Sequence, residues 1–112
     1  SWLFGPVWIS LYFLMGISLY LIWNKGIKNK QSKMALYIFG TQLILNLLWS
    51  ILFFGLKSPL FAFIEIIILL ITIILTINYF YRISKTASYL LIPYLLWVSF
   101  ATILNFFIFY LN

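Results

Sequence analysis

Polar residues fall mostly into three short stretches of this chain, and between them it reads as four apolar runs, 3–23, 34–54, 60–81 and 89–111. Each run is 21 to 23 residues long. At a rise of 1.5 Å per residue such a helix reaches roughly 32 Å, enough to cross a hydrocarbon core of about 30 Å. The stretch 64–77 is rich in isoleucine, a β-branched residue that favours strands in water. In lipid each backbone polar group must be paired within the protein, and at this length that selects a helix. The first run lacks the basic leader of a signal peptide and is too long to be one. The predicted fold is therefore all-α, a single transmembrane domain over 1–112 made of four membrane-spanning helices.

The connectors supply an orientation. The first, 24–33 (NKGIKNKQSK), carries Lys25, Lys28, Lys30 and Lys33; the second, 55–59 (GLKSP), carries Lys57; the third, 82–88 (RISKTAS), carries Arg82 and Lys85. The first and third lie on one side, which sets six positive charges against one. The positive-inside rule places those two loops in the cytoplasm, with Ser1, the 55–59 loop and the C-terminus outside. The lysine run reads as a topology signal rather than a binding patch.

Composition narrows the function. The chain has 112 residues, 66% hydrophobic, 22% aromatic and 7% charged, where a soluble domain averages roughly 45–50% apolar and about 25% charged. That excludes a water-soluble enzyme and a disordered tail. The net charge of +6 belongs to orienting loops in a chain this apolar, and no nucleic-acid partner is expected. With neither Cys nor His, disulfides, thiol chemistry, thiolate or imidazole metal sites, haem ligation by those residues and a histidine general base all drop out. No metal is expected. Because Ser1 opens inside an apolar run, an N-terminal piece is expected to be missing.

Residues that break the apolar monotony indicate the bundle interior. Trp8, Tyr12, Met15/Gly16, Leu19/Tyr20 and Trp23 recur along one face of the first helix. Gln42, Asn46, Trp49 and Ser50 share a face of the second, Glu65, Thr72 and Thr76 of the third, and Pro93, Trp97, Ala101 and Asn105 of the fourth. For Gln42, Asn105, Thr72 and Thr76, cross-helix hydrogen bonding is as good an explanation as a site. By helical rise, Trp8, Trp49, Ser50 and Glu65 lie roughly 6–8 Å from the outer ends, Tyr12, Asn46 and Ala101 roughly 12–15 Å, and Trp97 about 21 Å. Aromatic and polar groups at compatible depths suit a pocket for a flat, apolar ligand with a few polar edges. Trp2, Trp23, Tyr79, Tyr81, Tyr89 and Tyr110 lie near helix ends and read as an interfacial belt. Glu65 is the only acid. A carboxyl inside a span is by default a functional candidate, though protonation or a bond to a neighbouring helix also explains it.

Three blocks then become specific: WLFGPVWISLYFLMGISLYLIW (2–23), QLILNLLWSILFF (42–54) and LLIPYLLWVSFATILNFFI (90–108). Together they resemble the TspO/MBR family, in its order and over nearly the whole chain. Glu65, in FAFIE, falls where that family often has Asp or Glu. Family members have five membrane helices, so the resemblance implies that the first helix and most of the loop after it are absent from this chain. The sterol-recognition pattern of animal members is also incomplete, since Tyr110 is followed by no Lys or Arg.

The resemblance implies a membrane receptor or sensor for tetrapyrroles such as protoporphyrin IX and haem, and for benzodiazepine-site ligands, with no required cofactor. It assigns the pocket to Trp8, Tyr12, Asn46, Trp49, Ser50, Glu65, Trp97 and Ala101. It also implies transport or light- and oxygen-dependent porphyrin degradation, with Trp8 and Trp97 as the photochemical candidates, although no conventional catalytic constellation is present. Partners are the lipid bilayer and, by the same likeness, a second copy in a homodimer; a bacterial membrane is favoured over an organellar one. Two other readings compete. A small multidrug transporter shares the four helices and a membrane Glu, but carries that Glu in its first helix. A structural subunit would use the polar stripes only to join helices.

Overall fold

The computed structural model describes residues 4–26 and 30–111; Ser1, Trp2 and Lys28, named above, lie outside that range. The elements are α1 (Phe4–Asn24), α2 (Lys30–Ser50) running on through a π-helical turn (Ile51–Gly55), α3 (Pro59–Ile83), α4 (Lys85–Leu90) and α5 (Ile92–Leu111). No strand occurs among the described residues. Four stretches are long and apolar enough to span a membrane, Gly5–Asn24, Lys30–Gly55, Pro59–Ile83 and Lys85–Leu111, matching the four expected. The described bundle measures 47 × 26 × 19 Å, its long axis comparable with the roughly 40–45 Å of a bilayer that includes its headgroups.

The helix ends differ from expectation in ways the side chains explain. The second helix begins at Lys30 rather than 34, because Lys and Gln are good helix formers whose stems lie along the helix while their heads reach water. The third connector, expected to be a loop over 82–88, is almost wholly helical. Ser84 alone separates α3 from α4, with an extended backbone, and its Oγ accepts a bond from the Ala87 amide at 3.3 Å, a helix cap. The break at Leu91 precedes Pro93, which lacks an N–H and crowds the preceding turn. At the opposite end the chain reverses between Gly55 and Pro59. Lys57 takes a positive φ of 50° there, and Pro59 opens α3 with its φ already fixed for a helix.

α2 packs most extensively on α3, α3 on α5, and α1 chiefly on α4, while α1 and α2 touch sparsely. The buried stripes have helical spacing: Leu11, Met15, Ser18 and Ile22 on α1; Ala35, Phe39, Gln42, Asn46 and Trp49 on α2; Ala62, Ile66, Leu69, Ile73 and Phe80 on α3; Tyr94, Val98 and Asn105 on α5. Phe39 and Phe80 stack with centroids 5.8 Å apart. Ser18 donates to the Ala87 carbonyl at 2.7 Å and so ties α1 to α4. The inward face expected on α1 is rotated relative to this stripe. Tyr20 and Trp23 are 61% and 57% exposed, facing the surroundings as amphipathic rings do near a membrane interface.

The polar residues divide by what they bond. Gln42 and Asn105 join helices: Gln42 receives a bond from Tyr94 Oη at 2.7 Å, and Asn105 receives one from Trp49 Nε1 at 3.0 Å while donating to the Pro59 carbonyl at 2.9 Å. Thr72 and Thr76 do not. Their hydroxyls donate to the carbonyls of Ile68 and Thr72, each four residues back in the same helix. Such a bond spends the hydroxyl's one donor within its own helix.

Asn105→Leu strands the buried Trp49 indole N–H and removes the tie to the start of α3, so it should lower stability by about 1–2 kcal/mol. Thr102→Ala removes only a hydroxyl bonded to Val98 of its own helix and should change stability by less than about 0.5 kcal/mol. Thermal unfolding of both variants in the same detergent checks the contrast; equal losses would show that Asn105 is no cross-helix tie.

Candidate functional site

A cavity of about 210 Å³ opens where α1, the end of α2 and α5 converge, walled chiefly by Trp8, Trp49, Phe53, Phe54, Trp97 and Phe100. The rings interlock. Trp8 meets Trp97 edge-on at 6.3 Å and 89°, Trp49 stacks on Phe53 at 5.0 Å and meets Phe54 edge-on at 5.8 Å, and Trp97 lies 5.9 Å from Phe100. Edge-to-face and offset pairs are the arrangements aromatic quadrupoles favour. Ala101 lines the same cavity, and its methyl leaves open the space a larger residue would fill.

The π-helical turn shapes one wall. The Leu56 amide bonds the Ile51 carbonyl, five residues back, at 2.9 Å, and the Ser58 amide bonds Leu52 at 3.0 Å. The wider turn carries Phe53 and Phe54 to the cavity beside Trp49. Such turns recur at functional sites.

Behind the aromatic wall lies a polar chain. Tyr12 Oη donates to Asn46 Oδ1 at 3.2 Å, Asn46 Nδ2 donates to Tyr94 Oη at 2.7 Å, and Tyr94 Oη donates to Gln42 Oε1. Gln42 Nε2 then reaches Met15 Sδ at 3.9 Å. The chain crosses α1, α2 and α5 and spends nearly every donor and acceptor internally, which fixes rotamers rather than offering free groups. Glu65 is the exception. It is 6% exposed, and neither carboxyl oxygen has a hydrogen-bond partner among the described residues. No three His, Cys, Asp or Glu side chains cluster among those residues.

Of the eight expected pocket residues, the structure brings Trp8, Trp49, Trp97 and Ala101 to one cavity. Tyr12 stands beside it, its ring 5.8 Å from that of Trp8. Asn46 is buried in the polar chain, Ser50 is half-buried off the cavity wall, and Glu65 is buried on α3. Sequence reasoning missed Phe53, Phe54, Phe100, Leu104 and Ile108 on the wall, and Tyr94 behind it. The phenylalanines carry no polar signal, and a π turn leaves no mark in apolar periodicity. Tyr94 was readable: it stands four and eleven residues before Val98 and Asn105, a helical face of its own.

The TspO/MBR family model matches residues 1–111. The tryptophan-rich protein TspO of Archaeoglobus fulgidus is 56% identical over 112 residues, which cover all of this chain and 71% of that protein. Its counterpart in Chlorobaculum tepidum is 49% identical over the same span. The human translocator protein is 35% identical over 106 residues, covering 94% of this chain and 63% of its own length.

Since Glu65 has no bond to lose, Glu65→Gln, equal in size, should leave the thermal unfolding midpoint in detergent unchanged or higher. A fall corresponding to about 1–3 kcal/mol is what removing the partner of a buried hydrogen bond produces, and would show that the carboxyl is a structural tie.

Proposed function

The chain belongs to the TspO/MBR family, and from that premise we propose that it is a membrane receptor or sensor whose aromatic cavity takes a tetrapyrrole such as protoporphyrin IX or haem. The observation that carries this reading is the convergence of Trp8, Trp49 and Trp97 from three spans onto one cavity. Flat rings stack on flat rings, and a lining this apolar draws its affinity from area rather than from many hydrogen bonds. The tryptophan-rich sensory protein of Cereibacter sphaeroides, 33% identical, and the translocator protein names among the relatives support a sensing or receptor role.

Size sets how such a ligand would lie. The cavity of about 210 Å³ is smaller than the roughly 300–1,000 Å³ of ordinary small-molecule sites. It shares Trp97, Phe100 and Leu104 with an open groove of about 700 Å³ between α1 and α5, floored by Val7, Leu11, Pro93 and Leu96. A planar macrocycle fits this pair with one edge among the tryptophans and the other in the groove. Trp8, Trp49 and Trp97 are then the oxidisable indoles at the ligand edge, and the family likeness singles out Trp8 and Trp97 as the groups on which light- and oxygen-dependent porphyrin loss would depend. The loop charges favour a cytoplasmic placement of the α1–α2 and α3–α4 ends.

Family membership sets aside the multidrug-transporter reading, while the structural-subunit reading is decided by ligand binding. Titrating the detergent-purified chain with protoporphyrin IX in the dark should quench tryptophan fluorescence saturably. Trp97→Phe should weaken binding roughly five- to ten-fold, the scale of one aromatic contact worth about 1 kcal/mol. Linear quenching, identical in both proteins, would remove the pocket from this chain and favour a structural role. In light and oxygen, unchanged porphyrin loss in Trp8→Phe/Trp97→Phe would remove their chemical role.

A further inference from the structure

The basic end of the bundle carries a second recess, distant from the aromatic cavity and independent of what that cavity binds. It lies between the last turns of α3 and the α4–α5 junction, encloses about 380 Å³, and is lined by Ile74, Ile77, Asn78, Tyr81, Tyr89 and Ile92, with Ser88 at its back. Its character is graded along the membrane normal. Ile74 lies about 13 Å inward from the end of α3 at Ile83, and Ile92 about 10 Å inward from Lys85. Asn78, Tyr81 and Tyr89 form the outer part.

A cation crowns the polar part. Lys85 Nζ sits 5.6 Å from the Tyr81 ring centroid, and Tyr81 and Tyr89 are 6.3 Å apart; the Arg82 guanidinium carbon lies 5.5 Å from the ring of Tyr79, which does not line the recess. Tyr81 and Tyr89 are 45% and 60% exposed and Ile74 is 49% exposed, so the recess is open to the surroundings. None of the described residues offers these cations an acidic side chain. The chain's single acid, Glu65, stands 17 residues before Arg82 on the same helix, about 26 Å away. The balancing charge has to come from outside the chain.

We propose that this recess holds one anionic phospholipid. Its phosphate lies against Lys85, its glycerol esters face Asn78 and the two tyrosine hydroxyls, and an acyl chain runs inward over Ile74, Ile77 and Ile92. Basic pockets between helices at this level are where anionic lipid headgroups bind. A free phosphate would satisfy the cation and leave the isoleucine floor bare, which favours a lipid.

Native mass spectrometry of the intact chain, released from detergent with dioleoylphosphatidylglycerol or dioleoylphosphatidylcholine, tests the site. The expected result is one retained phosphatidylglycerol in preference to phosphatidylcholine. Lys85→Gln should reduce that retention about five-fold, the worth of one cation near a membrane surface. Ile74→Trp, which fills the floor at a lipid-facing position without changing charge, should reduce it as well. Lys30→Gln, at the same end but off the recess, should leave it unchanged. Equal retention of the two lipids, an equal loss in Lys30→Gln, or displacement of the lipid by millimolar inorganic phosphate would each overturn the proposal.

Discussion

The bundle is organised by one requirement: polar atoms inside lipid must find their partners within the protein. Asn105 shows how far the requirement reaches. Its carbonyl takes the Trp49 indole N–H and its amide takes the carbonyl of Pro59, the first residue of α3. One side chain on α5 thereby fixes the ring of a cavity wall on α2 and the entry of α3. Trp49 in turn supports Phe53 and Phe54, so the aromatic wall is held by a polar bond behind it. Lipid tails are as apolar as leucine, so apolar burial gives little net attraction between membrane helices. Packing and such bonds carry the association.

The same accounting isolates Glu65. Gln42, Asn46, Tyr94 and Asn105 each meet their needs within the bundle, and each is nearly fully buried. Glu65 is buried beside them with its oxygens unmet. A fold that pairs its other inward amides so completely has no structural use for a lone carboxyl, and a hydrophobic residue of that size would be easier to bury. A buried, unpaired carboxyl within a span is by default a functional candidate, and Glu65 stays one although it does not line the cavity.

The number of spans was readable because bilayer thickness dictates their length, and the side on which the cations gather was readable because charge is excluded from the core. The finer faces were less so. On the fourth span, Pro93, Trp97, Ala101 and Asn105 stand at steps of four, which overshoot a helical turn by about 40° each time. Over three steps the row winds from exposed Pro93, through half-buried Trp97 and Ala101, to fully buried Asn105. A single stripe in the sequence is thus two faces in space, a cavity wall and a helix joint. The threonines of α3 misled for another reason: their hydroxyls bond carbonyls of their own helix, whereas the amides of Gln42 and Asn105 bond across helices.

Why the cavity is small and the groove beside it large follows from which helices adhere. α1 is tied to α4 through Ser18 and to α2 through the Tyr12 and Met15 bonds. Toward α5 it presents Trp8, which meets Trp97 edge-on, and the apolar groove of Val7, Leu11, Pro93 and Leu96 opens beside that contact. The Asn105 and Tyr94 joints fix the far side of the cavity. Polar joints thus hold the bundle where the cavity has its walls, and the groove opens at the α1–α5 seam, where rings and aliphatic side chains meet.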